Sequence, residues 1–346
     1  MKLDKIFRTG IQYKASDIFI ATGIKPVLRI NGDLISIEDH AVLTKAMAED
    51  YLLEILNETQ KKKFEQTLDI DFSLDLEGIG RFRVNMFVQR KGISAVFRLI
   101  PAAVFSLDEL ALPQQLKQFA QIRQGIIIVT GPTGSGKTTT LAAILNEINE
   151  KYGKHIITVE DPIEFVHENK KSVIQQREVG THTASFAKAL KGSMRENPDV
   201  IMIGEMRDLE TISLAVTAAE TGHLVLATLH TSGAAKSVDR IIDAFPPSQQ
   251  NQIRAQLAES LKVVIWQNLI KTKDKKGRLG ALEIMIVNNA IANMIRKEKT
   301  HQINSAIETG LREGMQTMKK AVTDMLAADL ITEEDAQANI PPEFEM

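Results

Sequence analysis

The sequence predicts an α/β chain: a P-loop core domain, a smaller α+β domain ahead of it and a helical segment behind it. Three observations carry that expectation. Residues 131–140 read GPTGSGKTTT, a glycine-rich loop between a short β-branched run and a helical stretch. From residue 125 to residue 230, apolar runs alternate with helical stretches, the pattern of a mostly parallel sheet covered by helices. Before residue 100, apolar and charged residues alternate with a period of two, the mark of strands with one face buried.

The chain has 346 residues, beyond the size at which one core keeps growing, so two domains and an appendage are expected. Apolar residues make up 44% and charged residues 25%, ordinary for a globular protein. Lys plus Arg (42) against Asp plus Glu (44) gives a net charge of −2, so no bulk attraction to nucleic acid or anionic lipid follows. Cysteine is absent, which excludes disulfides and thiolate metal sites. The N-terminus alternates charged and apolar residues too soon for a signal peptide, and no apolar run approaches ~18 residues. The expectation is a cytoplasmic protein with no direct membrane insertion.

Residues 1–100 form the first predicted domain. Residues 16–20 and 26–30 read as strands, with Asn31-Gly32 or Gly32-Asp33 as the hairpin turn between Ile30 and Leu34, and residues 44–65 read as one helix with Leu52, Ile55 and Leu56 on its apolar face. A meander follows. Ile70, Phe72, Leu74 and Leu76 alternate with Asp69, Asp71, Ser73 and Asp75; Phe82, Val84 and Met86 alternate with Arg81, Arg83 and Asn85; residues 93–100 supply the third strand, with Arg98. Such a sheet packs a helix on its apolar face and presents its arginines on the other.

Residues 101–108 are the predicted linker, and Ser106 with Glu109 matches a capping box opening a helix. The core domain is expected over 109–287, with strands at 126–130, 156–160, 200–204 and 224–229. The run 271–278, with its lysines and Arg278, reads as a solvated hairpin between two apolar strands. No aromatic residues interleave with it as a nucleic-acid surface would require. Residues 288–346 form the helical region, with helices near 300–309, 315–328 and 332–339 and a frayed tail.

The loop at 131–138 matches G-x-x-x-x-G-K-[ST] through Gly131, Gly136, Lys137 and Thr138. Its glycines let successive N–H groups turn toward phosphate oxygens, so Thr133, Gly134, Ser135, Gly136, Lys137, Thr138 and Thr139 are the expected ATP-binding residues. Lys137 would reach the β and γ phosphates, and the Thr138 hydroxyl would meet Mg²⁺. The apolar strand 200–203 ends at Gly204-Glu205, an acid placed for the metal shell or the attacking water. Glu160, Asp161 and Glu164 make a second acidic strand end, from which one carboxylate could polarise water. His223 and His230 flank the strand 224–229, and no metal-binding spacing surrounds them, so they read as γ-phosphate sensors or hydrogen-bonding props.

Several motifs together resemble the secretion and pilus ATPases of bacteria, and within them the type IV pilus retraction branch. They are ASD, PVLRINGD, GRFRVN, AVFRLIP, GPTGSGKTTT, VEDPIEFVHENKKSVIQQREVG, RENPDVIMIGEMRDLETI, AAETGHLVLATLHTSGAAKSVDRIID and FPPSQQ, spread through nearly the whole chain. The resemblance implies a homo-hexameric ring whose subunit joins a PAS-like N-terminal domain to a RecA-like ATPase domain. It implies ATP and Mg²⁺ as cofactors and ATP hydrolysis driving pilus retraction and twitching motility. It implies Glu164 as general base, Glu205 as the acid that orders Mg²⁺ and water, and His223 and His230 as a histidine box. Arg83, Arg98, Arg195, Arg207 and Arg240 match family arginines that contact phosphate or couple domains and neighbouring subunits. The implied partners are an inner-membrane pilus platform protein, which would hold the ring at the cytoplasmic face of that membrane, and an assembly ATPase or a retraction paralogue.

The sequence also departs from the family pattern. Phe19 stands where histidine is usual and Lys191 where arginine is usual; Ala292 replaces the first arginine of the family's AIRNLIRE helix. The competing readings are an accessory retraction paralogue, a pilus-assembly or type II secretion ATPase, a DNA-acting P-loop protein and an adaptor without turnover. Assembly members usually carry a longer N-terminal region and a four-cysteine zinc segment, which this chain lacks. An aromatic content of 5% speaks against DNA, and the acidic strand ends against an adaptor.

Overall fold

The computed structural model describes residues 1–30, 32–100 and 104–340. The chain divides into two compact units. One comprises Met1–Ala103 with Pro162–Val166, and the other comprises Val104–Asp161 with His167–Met346.

The smaller unit runs α1 (Asp4–Gln12), β1 (Asp17–Ala21), β2 (Val27–Ile30), β3 (Asp33–Ser36), α2 (Lys45–Leu53), α3 (Glu58–Thr67), β4 (Asp69–Leu76), β5 (Gly80–Gln89) and β6 (Gly92–Ile100). Its strands make an antiparallel sheet in the order β3-β2-β1-β6-β5-β4. The period-two pattern sends Phe82, Val84, Met86 and Phe97 into the core with Leu3, Ile6 and Phe7 of the N-terminal segment. The Phe7 ring lies 4.6 Å from that of Phe82 and 5.0 Å from that of Phe97, centroid to centroid. The predicted helix over 44–65 is in fact two helices. Asn57 breaks it, because its side chain accepts from the Gln60 N–H (2.8 Å) while the Gln60 side chain accepts from the Asn57 N–H (2.9 Å). That reciprocal cap starts a new helix rather than continuing the old one. Asn31, half of the predicted turn, lies outside the described residues, and Ile30 pairs with Asp33 across it.

The larger unit runs α4 (Leu116–Phe119), β7 (Gly125–Thr130), α5 (Lys137–Lys151), β8 (His155–Glu160), β9 (Val173–Glu178), α6 (Phe186–Ser193), β10 (Val200–Ile203), α7 (Leu209–Glu220), β11 (Leu224–Leu229), α8 (Ala234–Asp243), α9 (Pro247–Ser260), β12 (Leu261–Lys271), β13 (Arg278–Ile286), α10 (Asn289–Arg296), α11 (Ile303–Thr309), α12 (Met318–Ala327) and α13 (Glu333–Asn339). Its sheet, β13-β12-β7-β11-β10-β8-β9, is parallel except for the antiparallel edge strand β13. Successive residues of β7 enter opposite core layers: Ile126 and Ile128 one, Ile127 and Val129 the other. Both faces are therefore buried, which is why this strand reads as a continuous apolar run. The edge strand β9 is half polar and carries no apolar run that would mark it in the sequence.

The capping box at Ser106 and Glu109 forms, with Ser106 N–H to Glu109 at 2.7 Å. It opens only turns, however, because Ala111 takes a left-handed φ of 51° and helix resumes only as the short α4. The hairpin joining β12 and β13 is pinned by Lys273, whose N–H donates to Leu330 (2.8 Å) and whose ammonium pairs with Asp329. Met318, Val322 and Ile331 of the C-terminal region pack on Ile270 and Ala281 of that hairpin. The predicted linker residues 101–103 and most of the predicted frayed tail, 341–346, lie outside the described residues. No helix among the described residues is long and apolar enough to cross a membrane.

Candidate active site

The glycine-rich loop leaves the carboxyl end of the central strand β7 and enters α5. Gly134 (φ +78°) and Gly136 (φ +83°) take left-handed backbone that side chains oppose, and Gly136 is the residue before the first helical one. The first N–H groups of a helix have no partner within it, so the start of α5 presents donors and the positive end of its dipole together. Thr133 and Gly134 are exposed, Thr138 and Thr139 half-buried, and Ser135 buried. Lys137 is 8% exposed and folds back over the loop, donating to the carbonyls of Gly131 (3.0 Å) and Pro132 (2.9 Å).

Parallel pairing decides what faces Lys137. β11 is the neighbour of β7, with Leu229 opposite Thr130, and β10 is the next strand, with Ile203 opposite Ala227. The residues just past these ends, His230 and Glu205, therefore emerge on the P-loop side of the sheet. His230 Nδ1 lies 3.5 Å from the Lys137 ammonium, and its Nε2 lies 3.3 Å from Glu205 Oε1. An ammonium has no lone pair to offer, so Nδ1 must be the acceptor and Nε2 carries the proton that faces Glu205. Glu205 Oε2 is held 2.7 Å from Arg207. Burial by itself pushes the Glu205 carboxyl up, but the Arg207 hydrogen bond and charge, with His230 and Lys137, outweigh it and leave the pKa lowered. Thr228 Oγ1, donating to Gly204 O, sets the turn that aims Glu205. Gly204 has no room for a side chain that would not crowd Glu160 Cα and Val159 O at 3.3 Å.

The other strand-end acids have different duties. Glu160, 3% exposed, accepts from Thr158 Oγ1 (2.7 Å) and Gln176 Nε2 (3.0 Å), anchoring β9 to β8. Asp161 is exposed. Glu164, half-buried, belongs with Pro162–Val166 to the smaller unit, so the constellation within the larger unit does not include it.

His223 sits at the amino end of β11, the far end from the loop, and its Nδ1 lies 2.8 Å from the Ala218 carbonyl at the end of α7. Within this unit the structure makes it a hydrogen-bonding prop and does not bring it to the loop as a phosphate sensor. Arg195 donates to Lys191 O (2.9 Å) on the surface, and Arg240 lies exposed on α8. In the smaller unit Arg83 and Arg98 are direct cross-strand partners, and Arg98 Nε donates to the buried Asp17 at 3.0 Å. Asp17 also lies 3.6 Å from Arg29, whose guanidinium stacks over Phe19, the departure noted above.

Sequence reasoning missed Gln267. It is 2% exposed on β12, its Nε2 donates to the Ser135 carbonyl (2.7 Å), and its Oε1 accepts from Thr140 (2.7 Å). A glutamine inside the apolar run 263–270 was the available signal. A chain of hydroxyls was missed as well: Thr130 Oγ1 to Thr231 Oγ1 (2.7 Å), then to Ser237 Oγ (2.6 Å) in α8.

The described residues contain no group of three or more His, Asp or Glu side chains arranged to hold a metal. A Thr138 hydroxyl and the Glu205 carboxylate are hard oxygen donors, too few to cage an ion unaided. They suit Mg²⁺, which keeps several waters and relies on phosphate oxygens.

Residues 1–337 match the family model described as type II/IV secretion system protein. The twitching motility protein of Neisseria gonorrhoeae is 51% identical over 96% of this chain and 88% of its own length. The type IV pilus retraction ATPase PilT of Pseudomonas aeruginosa is 46% identical over 99% of this chain and all of its own, 100%. A crystal structure described as the pilus retraction motor PilT with bound ADP superposes with a TM-score of 0.93 at 42% identity, covering 99% of this chain and 98% of that one. With a P-loop facing a strand-end glutamate, and likeness of that extent over its whole length, the chain belongs to the type II/IV secretion system protein family.

Proposed function

We propose that this protein is an ATP-hydrolysing motor that retracts a type IV pilus. The observation that carries the reading is the Lys137–His230–Glu205–Arg207 constellation at the carboxyl ends of three adjacent strands. Relatives named for twitching motility and pilus retraction, alike over nearly the full chain, support the biological role.

The chemistry follows from the side chains. Lys137 is satisfied by two loop carbonyls, and a polyphosphate, carrying full negative charge, draws its ammonium away from neutral acceptors. Glu205, kept ionised, orients the attacking water and Mg²⁺, with Thr138 as the second protein oxygen. Mg²⁺ when bound supplies charge neutralisation for the phosphates. His230, between Lys137 and Glu205, registers whether the γ phosphate is present. Glu164 is the proposed general base, a role that rests on the family resemblance and requires the smaller unit's segment to reach the nucleotide. Arg83, Arg98, Arg195, Arg207 and Arg240 supply positive charge to phosphate or couple units and subunits. Arg98 must exchange Asp17 for phosphate to do so.

The working form is a homo-hexamer at the cytoplasmic face of the inner membrane, bound to the pilus platform protein and working beside an assembly ATPase or a retraction paralogue. The test is genetic and biochemical together. Deletion should leave cells piliated but unable to twitch, and the wild-type gene, not Lys137→Ala, should restore movement. Deleted cells that lack pili altogether would assign the protein to assembly instead.

A further inference from the structure

We infer that Gln267 is a positioning residue that holds the P-loop in its phosphate-binding shape before nucleotide arrives. The inference deepens the nucleotide-binding reading above and rests on it.

The argument begins with register. On β12, Trp266 stands opposite Thr130, the last residue of β7, so Gln267 is carried one residue further and lies beside Gly131. Its amide then bridges the loop. The Nε2 donates to the Ser135 carbonyl in the middle of the loop, and the Oε1 accepts from Thr140 in the first turn of α5. With Gln267 2% exposed, Ser135 3% and Thr140 1%, neither bond has water as an easy substitute. Amide orientation follows from the partners, since a carbonyl can only accept and the Thr140 hydroxyl then donates.

The same residue explains two glycines of the motif. A Cβ at Gly131 would run into the main-chain carbonyl oxygen of Gln267, and a Cβ at Gly136 would lie 2.9 Å from its side-chain Nε2. The loop is thus moulded against Gln267 as well as around phosphate. A glycine-rich loop left free would lose conformational entropy on binding nucleotide, and a preformed loop avoids most of that cost. Trp266 and Asn268 face the other way, Trp266 against the C-terminal core cluster and Asn268 Nδ2 to Asn339 at 2.6 Å, so the strand that presents Gln267 is itself held from behind.

The experiment uses the full chain and titrates ADP and a fluorescent ATP analogue against wild type, Gln267→Met, Gln267→Glu and Thr140→Val. Gln267→Met keeps length and burial but removes both bonds; Kd and KM should rise about tenfold with kcat changed less than about threefold. Thr140→Val should give a smaller loss, and adding it to Gln267→Met should cost less than about a further twofold, because the shared bond is already gone. Gln267→Glu sets a carboxylate against the Ser135 carbonyl. Its affinity relative to wild type should recover as pH falls from about 8 to about 5, because only the protonated acid can donate there. That recovery is the readout that a merely structural glutamine would not give. Wild type that binds neither probe would overturn the nucleotide reading itself. Wild type that binds, with Gln267→Met within twofold of it or, should that variant not fold, with Gln267→Glu showing a flat pH ratio, would overturn only the role of Gln267.

Discussion

Arg207 holds its guanidinium 2.7 Å from the carboxylate of Glu205, two residues back along the turn that leaves β10. Burial alone pushes this acid toward the neutral form, and the arginine, together with the charges of His230 and Lys137, more than reverses that. Arg207→Ala should therefore raise the Glu205 pKa. The acid limb of kcat/KM against pH should move to higher pH, because the base form of Glu205 is lost sooner as pH falls. An acid limb that stays in place would separate Glu205 ionisation from Arg207.

Lys137→Ala should abolish ATP turnover while the circular dichroism spectrum stays native. The ammonium is bonded to the loop carbonyls of Gly131 and Pro132 and meets His230 Nδ1, all groups of the site itself, so the apolar cores keep their packing without it. Hydrolysis near the wild-type rate would remove the P-loop assignment.

Glu205→Gln keeps shape and loses charge. Nucleotide Kd should change less than about threefold while kcat falls about 100-fold or more. Comparable losses in both would instead mean that Glu205 builds the binding site.

His167 is buried beside Lys170, and burial first, then the lysine's charge, lowers its pKa to about 4. The unfolded chain takes up this proton near pH 6.5 and the folded chain does not until about 4, so stability falls as pH drops through that window. The loss is at most roughly 3–4 kcal/mol. His167→Gln should flatten the dependence of Tm on pH across the window, and an equally steep slope in the variant would place the acid sensitivity elsewhere.

Arg98→Ala tests whether the arginine row of the smaller unit serves the nucleotide. Asp17 keeps Arg29 as a partner, so the fold should survive. If Arg98 meets developing phosphate charge, kcat should fall about tenfold or more with little change in KM. An unchanged kcat would leave Arg98 as a partner of Asp17 alone.

Local chemistry was legible in the residues. The P-loop, the strand ending at Glu205 and the meander are written within short windows, where periodicity and glycine placement act directly. The break at Asn57 was legible too, since a reciprocal cap needs only residues 57 and 60, yet the apolar face running across it concealed the signal. The capping box at Ser106 formed as read, but a cap starts a helix only if the next turn can continue it, and Ala111 does not. β9 escaped because a half-polar edge strand has weak periodicity.

What the sequence by itself determined is the phosphate loop, the alternation of strands and helices, and the acid and histidine that follow two of the strands. Each is set by residues near one another in the chain. Strand order and register, which only the tertiary structure decides, brought His230 to Lys137 across 93 residues and Gln267 to Ser135 across 132, sent His223 to the opposite end of the sheet, and gave Glu164 to the smaller unit. The physical reason is that pairing between distant strands is chosen by burial of whole faces, and no short window of sequence contains that sum.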